Sequence, residues 1–253
     1  SDAEYKENFG PFTPGFTEVP FGDIKALEAA ITPNTCAFLV EPMQGEAGIL
    51  IPPKGWLKQV RALCDKHNVL MILDEIQTGL GRTGKLFAFQ HDDIIPDGLI
   101  LGKALGGGLL PISAFVSSKE VLNTLRPGSH GSTFGGNPLA AAVGLKALEI
   151  LERDQYAQKS ADLGAYLQAE LKRIDSALIT DVRGSGLWIA VEIDPAKTPA
   201  RAVCETLMRR GVLSKETHDT VVRLAPPLVI EKEQLDFAVS ALKESLIEVE
   251  NSL

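Results

Sequence analysis

Two apolar runs that each lead into a charged residue constrain the fold of this chain most. Residues 69–73 are all apolar and are followed by Asp74, and the run 99–102 leads into Lys103 shortly before a glycine triplet. Short unbroken apolar runs are typical of strands buried on both faces in a parallel sheet. Because open α/β sheets bind ligands at the carboxyl ends of their strands, the pattern predicts a carboxylate and an amine at one binding edge.

An amine and a carboxylate on neighbouring strand ends suit the chemistry of pyridoxal phosphate. Removal from water favours the neutral form of a lysine, which forms a Schiff base with an aldehyde. A carboxylate keeps the pyridine nitrogen protonated, which makes the ring an electron sink. An ordinary buried ion pair between Asp74 and Lys103 is the simpler explanation of these two residues taken alone.

Four ordered strings place the pair in a wider context. They are VEPMQGEAG at 40–48, LDEIQTGLGRTG at 73–84, LGKALGGG at 101–108 and HGSTFGGNP at 130–138. Together they resemble the class III, fold-type I pyridoxal phosphate aminotransferases, and the similarity covers nearly the whole chain. The members of that family that act on ornithine are also similar at FGP (9–11), KETHDT (215–220) and RLAPPL (223–228).

The resemblance implies an α/β fold with two domains. Residues 1–153 would form the later part of a large cofactor domain with a mostly parallel, three-layer sheet, and residues 154–253 a C-terminal α+β small domain. The chain's own pattern agrees, because helices and strands alternate up to about residue 153 and then give way to a hairpin between helices. Family members carry a further N-terminal stretch with the phosphate turn, the ring-stacking aromatic residue and a substrate arginine, so the chain is interpreted as a fragment, a processed product or the ordered part of a longer protein.

Apolar periodicity and turn residues predict the individual elements. Asn137 is a good N-cap, and Pro138 suits the first position of the helix after it. The predicted helices are 23–31, 56–67, 119–125, 138–152, 155–174, 199–210 and 231–248. The predicted strands are 37–40, 69–73, 98–102, 112–116, 179–182, 187–193, 212–215 and 221–224.

The resemblance assigns the cofactor contacts to five residues. Lys103 would bind the cofactor aldehyde and then move the proton between the substrate's Cα and the cofactor's C4′, while Asp74 would pair with the ring nitrogen. Gln77 would contact the phenolic oxygen. Thr133, and less strongly Ser132, would reach the phosphate of the other subunit, which implies a homodimer with shared sites. Each residue also has a plainer explanation, as a loop lysine, a helix cap or a turn residue.

Two further residues are assigned to the substrate by the resemblance. Arg223 would bind the α-carboxylate of glutamate or 2-oxoglutarate through its guanidinium. Glu46 would mask Arg223 while ornithine reacts, so that one site accepts both amino acids; without that role the pair is a structural salt bridge. Glu41 is interpreted as structural, holding the turn before Gly45.

The implied function is transfer of the δ-amino group of L-ornithine to 2-oxoglutarate, giving glutamate 5-semialdehyde and L-glutamate. Acetylornithine and 4-aminobutyrate aminotransferases share the lysine, aspartate and threonine motifs and stay open as alternatives. The non-enzymatic alternative is a cofactor-free, inactive fragment that acts as an assembly or binding module.

Charge and cysteine usage narrow the partners and the compartment. The 253 residues carry a formal net charge of -8, which disfavours binding to nucleic acid or anionic lipid. The 3 cysteines are widely spaced and without a C-x-x-C pair, which indicates neither a disulfide framework nor a zinc site and fits a reducing cytoplasm. No apolar stretch approaches the ~20 residues of a membrane span.

Two other kinds of site, a nucleotide phosphate loop and a histidine-based metal or catalytic site, are disfavoured by the sequence. Residues 79–85 fit the G-x-x-x-x-G-K phosphate loop, but Leu86 replaces the hydroxyl residue that binds magnesium, and the glycine run directly follows the acidic strand. The histidines have neither metal-ligand spacing nor a paired nucleophile. They are His67, His91, His130 and His218.

Overall fold

The computed structural model describes residues 6–253, and a four-stranded sheet organises the first part of the chain. Its strands are β1 (Ala37–Val40), β2 (Leu70–Asp74), β3 (Gly98–Leu101) and β4 (Ala114–Ser117), in that order across the sheet. β1, β2 and β3 are parallel, and β4 is antiparallel to β3. The predicted α/β architecture with a mostly parallel sheet is confirmed. Residues 1–5, where the predicted large domain begins, lie outside the described part.

β2 is the central buried strand of this sheet. Met71 and Leu73 are fully buried in a core shared with the apolar side of α2 (Trp56–His67) and with α1 (Ile24–Ala30). The strand lies one residue later than predicted, because Asp74 itself pairs with Ile100 of β3. The aspartate is therefore fixed by the ladder, whereas the sequence pattern had placed it just after the strand.

Two helices follow β4 on the way to the second part of the chain. α3 (Lys119–Leu122) is shorter than predicted, since Thr124 Oγ1 donates to the Val121 carbonyl at 2.7 Å and competes with helical bonding. α4 (Pro138–Arg153) begins as predicted, with the Ala140 N–H donating to Asn137 Oδ1 at 2.8 Å. Across residues 6–253, no helix combines the length and apolar character needed to cross a bilayer.

A second sheet, fully antiparallel, organises the C-terminal part. Its strands are β5 (Ile179–Gly184), β6 (Ile189–Ile193), β7 (Lys215–Thr217) and β8 (Val221–Leu224), in the order β5-β6-β8-β7. Three helices pack against it around a core that contains Ile189, Leu207 and Leu242. They are α5 (Tyr156–Lys172), α6 (Ala200–Arg209) and α7 (Lys232–Glu250).

The predicted strand at 212–215 is wrong in its position. β7 occupies Lys215–Thr217, because the tight turn at His218 and Asp219, both with left-handed φ, sets the pairing of Thr217 with Val221. Pairing extends backwards from that turn only as far as Lys215. The turn, rather than the local apolar pattern, determines which residues form the strand.

The predicted domain boundary falls between α4 and α5. α4 ends at Arg153, and Gln155, with a left-handed φ of 52°, turns the chain before α5 begins. The two sheets and their separate cores lie on opposite sides of this junction in the sequence. The division into domains at 153/154 stays a prediction.

The turn between β5 and β6 makes very close backbone contacts with α5 on one side and with the first part of the chain on the other. A Cβ on Gly164 would lie 2.1 Å from the backbone of Gly186, and a Cβ on Gly186 would lie 2.5 Å from the backbone of Thr83. Ser185 Oγ also donates to the Thr83 carbonyl at 2.8 Å. The turn between β5 and β6 is thus held between α5 and the loop that follows β2. We call this contact the seam.

Gly164→Ala tests the seam. We expect it to lower the free energy of unfolding by about 1–3 kcal/mol, because the added methyl group meets backbone that has no room to yield. Gly144 in α4 is the matched control, since a Cβ there finds its nearest neighbour at 3.5 Å. Gly144→Ala should therefore be neutral or stabilise by about 0.4–1 kcal/mol. Urea unfolding measures both variants, and equal effects would contradict the role given to the seam.

Candidate functional site

The candidate site lies where the three parallel strands end. Glu41 follows β1, Asp74 ends β2 and Lys103 follows β3. Because β1 and β3 both pair in parallel with β2, these three residues lie along one edge of the sheet. The structure therefore brings together the aspartate and the lysine predicted from the sequence and adds Glu41 to them. We call the three residues the strand-end cluster.

The pKa of Glu41 reflects the closeness of these groups. Burial raises it above its ordinary 4.5. The Gly45 N–H, 3.3 Å from Oε2, lowers it, the neighbouring Asp74 carboxylate raises it, and the Lys103 amine lowers it. Glu41 thus holds the turn before Gly45, as the sequence indicated, and it also lies within electrostatic range of both other members of the strand-end cluster.

Asp74 and Lys103 differ in their exposure. Asp74 is half-buried, and its Oδ1 accepts the Ile76 N–H at 3.0 Å. Lys103 is exposed rather than removed from water, because the chain leaves the sheet there with a left-handed φ of 45° and enters a 3₁₀ turn (Lys103–Gly106). Within residues 6–253 its amine forms no hydrogen bond or ion pair, which leaves it available to a ligand.

Gln77 links the strand-end cluster to the turn that carries Glu46. Gln77 is half-buried, and its Nε2 donates to Glu46 Oε1 at 3.4 Å. The adjacent Gly45 packs so closely that a Cβ there would lie 2.5 Å from the Trp188 ring and 2.9 Å from Gln77 Oε1. The turn therefore packs between the loop after β2 and Trp188, the residue just before β6.

Glu46 forms ion pairs with two cations of the second sheet. Its carboxylate oxygens lie 2.7 Å from Arg223 Nη1 and 3.1 Å from Lys215 Nζ. The hydrogen bond from Arg223 is the main cause that lowers the pKa of Glu46 to about 2. Glu46 and Arg223, paired in the sequence analysis, are in contact. Sequence reasoning missed Lys215, which lies opposite Arg223 in the β7–β8 ladder, a relation visible only once the hairpin register is known.

The loop expected to reach a phosphate lies on the surface. Ser132 and Thr133 are both exposed, and Ser132 Oγ accepts the Gly135 N–H at 3.2 Å. In the part of the chain that the structure describes, neither side chain forms a hydrogen bond with the strand-end cluster or with Gln77. Their assignment to the cofactor stays a prediction.

Glu75, the residue after Asp74, is bound to groups inside the protein, which also speaks against the phosphate-loop alternative. This carboxylate is buried and accepts the N–H groups of Ala88 at 2.7 Å and Phe89 at 2.9 Å, and the Thr78 hydroxyl at 3.1 Å. It therefore anchors a 3₁₀ turn (Ala88–His91) inside the protein, a structural role that sequence reasoning missed. Burial is the main cause that raises the pKa of Glu75. Among residues 6–253, no group of three or more His, Cys, Asp or Glu side chains is placed to hold a metal ion.

Comparison with known proteins gives one consistent family. Residues 1–246 match the family model described as aminotransferase class-III. The ornithine aminotransferase of an Exiguobacterium species is 57% identical over 246 residues, which are 97% of this chain and 61% of that protein.

Solved structures are similar over nearly the whole chain. A structure of the ornithine aminotransferase from Toxoplasma gondii, with partial occupancy of PLP at its active site, has a TM-score of 0.96 and 45% identity and covers 98% of this chain and 59% of that one. An acetylornithine aminotransferase from Elizabethkingia anophelis has a TM-score of 0.89 and 47% identity and covers 96% of this chain and 62% of that one. The chain thus spans about 61% of the length of the curated relatives that it matches.

The low pKa of Glu46 predicts a contribution to stability that depends on pH. A carboxylate whose pKa falls from 4.5 to about 2 on folding stabilises the native state above pH 4.5 and loses that contribution as the pH falls towards 2. We expect Glu46→Gln to reduce the free energy of unfolding near neutral pH by no more than about 1 kcal/mol, since the side chain is half-exposed. Denaturant unfolding of both proteins, repeated on acidification, should show the difference shrinking; a growing difference would contradict the ion-pair account.

Proposed function

The chain belongs to the class III aminotransferases, and from this premise we propose that the complete protein transfers the δ-amino group of L-ornithine to 2-oxoglutarate, giving glutamate 5-semialdehyde and L-glutamate. The observation that carries the proposal is the 2.7 Å ion pair between Glu46 and Arg223 beside Gln77. A site that takes ornithine by its terminal amine and glutamate by its α-amine needs an arginine that can be covered and uncovered. The relatives named as ornithine aminotransferases support this choice of amino donor.

Pyridoxal phosphate is the cofactor of this family, and the side chains at the sheet edge fit it. Lys103 offers an amine that makes no hydrogen bond or ion pair within the described residues, Asp74 a half-buried carboxylate on the adjacent strand, and Gln77 an amide. We propose that they serve the aldehyde, the ring nitrogen and the phenolic oxygen, in that order. When bound, the cofactor supplies an electrophilic aldehyde and a ring that withdraws electrons from the amine-bearing carbon of the substrate.

Within this proposal the Lys103 amine moves the proton, taking it from the amine-bearing carbon of the substrate and returning it at C4′. The Asp74 carboxylate holds a proton on the ring nitrogen through a charge-assisted hydrogen bond. Glu41 accepts the Gly45 N–H and so holds the turn that carries Glu46 beside the other two groups. Each member of the strand-end cluster thus has a separate task.

The two half-reactions use the Glu46–Arg223 pair differently. With ornithine bound, Glu46 keeps its ion pair and covers the guanidinium, so that only the terminal amine approaches Lys103. With 2-oxoglutarate or glutamate bound, the α-carboxylate takes the place of Glu46 on Arg223. Lys215, 3.1 Å from Glu46, can then hold the displaced carboxylate near the site.

Acetylornithine is the second candidate amino donor. It is favoured by one observation, the similarity to the acetylornithine aminotransferase structure at 47% identity. Like ornithine, it would present a terminal amine to the strand-end cluster and would require the same covered arginine. Parallel assays with ornithine, acetylornithine and 4-aminobutyrate in the complete protein separate the candidates.

Assembly and location form part of the same proposal. We propose a homodimer with shared sites, in which Thr133 and Ser132 reach the cofactor phosphate of the other subunit; their exposure supports this. The two domains would divide at 153/154, and the cysteine pattern supports a cytoplasmic location. The partners would be small amino acids and oxo acids, with the net charge of -8 speaking against nucleic acid and anionic membranes.

Borohydride reduction tests the role of Lys103. In the complete, cofactor-loaded protein, reduction should attach the cofactor to the peptide that contains Lys103. Lys103→Ala should lower turnover by at least about 100-fold, because a positioned proton-transfer group is lost. Lys25→Ala, on the exposed side of α1, is the control and should keep both labelling and turnover. Labelling of a different lysine by peptide mass would overturn the assignment.

Glu46→Ala tests the masking of Arg223. Uncovering the guanidinium should raise reactivity towards α-amino acids relative to ornithine by about 1–3 kcal/mol, the usual size of a charge-assisted contact. Single-turnover absorbance changes measure each half-reaction. Glu216→Ala is the matched control. Glu216 lies on the β7–β8 hairpin that also carries Arg223, but its carboxylate pairs with Arg201 at 2.8 Å. Unchanged preferences in Glu46→Ala would reduce the pair to a structural bridge.

A further inference from the structure

Arg82 lies in the loop after β2, beyond Gln77, and its side chain bridges to the second sheet. Nη1 donates both to the Leu187 carbonyl, at 2.8 Å, and to the Pro226 carbonyl, at 2.7 Å. Burial alone lowers the pKa of Arg82, to about 10, so within residues 6–253 no carboxylate balances its charge. The guanidinium therefore remains protonated at neutral pH and relies on carbonyl dipoles. Both hydrogens of one nitrogen serve two separate segments.

The main chain of Arg82 is tied to the same place. Its carbonyl accepts the Ser160 hydroxyl at 2.8 Å, and Ser160 Oγ accepts the Leu187 N–H at 3.0 Å. Ser160 is fully buried, so water cannot readily replace these bonds. The Leu187 carbonyl is thus bonded directly to the Arg82 guanidinium, and the Leu187 N–H is linked to the Arg82 carbonyl through Ser160.

One of the two bonded segments determines the position of Glu46. Leu187 precedes Trp188, whose ring packs on Gly45 so closely that a Cβ there would lie 2.5 Å away. Gly45 is the neighbour of Glu46 in the chain. A change in the placement of Leu187 is therefore passed on to the Glu46 turn by direct contact.

The other segment determines the position of Arg223. Pro226 lies shortly after Arg223, which pairs with Ala190 in the central ladder of the second sheet. The bond from Arg82 to the Pro226 carbonyl holds the end of β8 against the loop that carries Gln77. The loop that carries Gln77 is thus joined by the Arg82 guanidinium to the segment after Arg223 and to Leu187, whose neighbour Trp188 packs on the turn of Glu46.

We propose that Arg82 is a positioning residue that sets the distance of the Glu46–Arg223 pair from the strand-end cluster. This inference rests on the proposed function, because it assigns Arg223 to the substrate carboxylate. Arginine suits the task, since its planar guanidinium spans two carbonyls at fixed angles, whereas lysine is a flexible point charge and glutamine is shorter and neutral. Arg82 itself touches neither the substrate nor the cofactor in this account.

The two half-reactions depend on this distance to different degrees. In the first, Glu46 and Arg223 neutralise each other, and a small displacement of the pair leaves them paired. In the second, Arg223 binds the α-carboxylate of the substrate, and the carbon bonded to that carboxylate reacts at Lys103, so the separation between Arg223 and Lys103 matters directly. Loss of Arg82 should therefore impair the second half-reaction more than the first.

The test compares Arg82→Gln and Arg82→Lys with the loss of another buried arginine. All variants are made in the complete, cofactor-loaded protein. Arg61→Gln is the control, because Arg61 is also largely buried and bonds to Asp97 at 2.7 Å but lies on α2. Single-turnover kinetics give kcat/KM for ornithine and for 2-oxoglutarate separately. Hydrogen exchange of segments 44–50 and 221–228 provides a readout that does not depend on turnover.

We expect Arg82→Gln to lower kcat/KM for 2-oxoglutarate by about 10–100-fold more than for ornithine, since a misplacement of ~1 Å can cost that much. Arg82→Lys should lose less, and both variants should exchange faster in the two segments. An equal loss in both half-reactions, as expected for Arg61→Gln, or unchanged exchange would overturn the inference. Should Arg82→Gln fail to fold, Arg82→Lys decides by the same criteria. A wild-type protein inactive on ornithine would contradict the proposed function, and the exchange result would then decide the inference.

Discussion

The parallel pairing of β1, β2 and β3 is the constraint on which the candidate site depends. In a parallel ladder all carboxyl ends lie at one edge, so the residues that close these strands are neighbours in space although far apart in sequence. A slip of one residue in β2 would turn Asp74 to the opposite face of the sheet and remove it from the strand-end cluster. The buried Met71 and Leu73 prevent such a slip, because it would expose both. The position of the polar edge is thus fixed by the apolar interior.

The turn from Glu41 to Glu46 packs against both sheets, and its two carboxyl groups lie in different environments. Glu41 and Glu46 belong to the same short segment, yet the pKa of Glu41 is raised, chiefly by burial, and that of Glu46 is lowered to about 2, chiefly by Arg223. The environments therefore shift the pKa values of two identical side chains in opposite directions. This difference arises because Glu41 directly follows β1 of the first sheet, whereas Glu46 faces Arg223 and Lys215 of the second sheet.

Local sequence signals located most of the elements but not all of their ends. The helix at Trp56–His67 and the strand at Ala37–Val40 coincide with their predicted bounds, since apolar periodicity and turn residues agree there. The strand near 212–215 was misplaced and α3 was predicted too long. In both cases a hydrogen-bonding choice outside the local pattern decided the outcome, namely the turn at His218 and the Thr124 hydroxyl. Apolar periodicity carries no information on either.

The sequence by itself determined the sheet-edge pair Asp74 and Lys103, the α/β architecture and the family, because these follow from short runs of adjacent residues. The exposure of Lys103, the second cation Lys215 and the bridging role of Arg82 were decided only by the tertiary structure. Each depends on how segments distant in the chain meet. Hydrogen bonds and ion pairs act over a few ångströms, so their partners are defined only when packing of the two sheets has fixed which segments come that close.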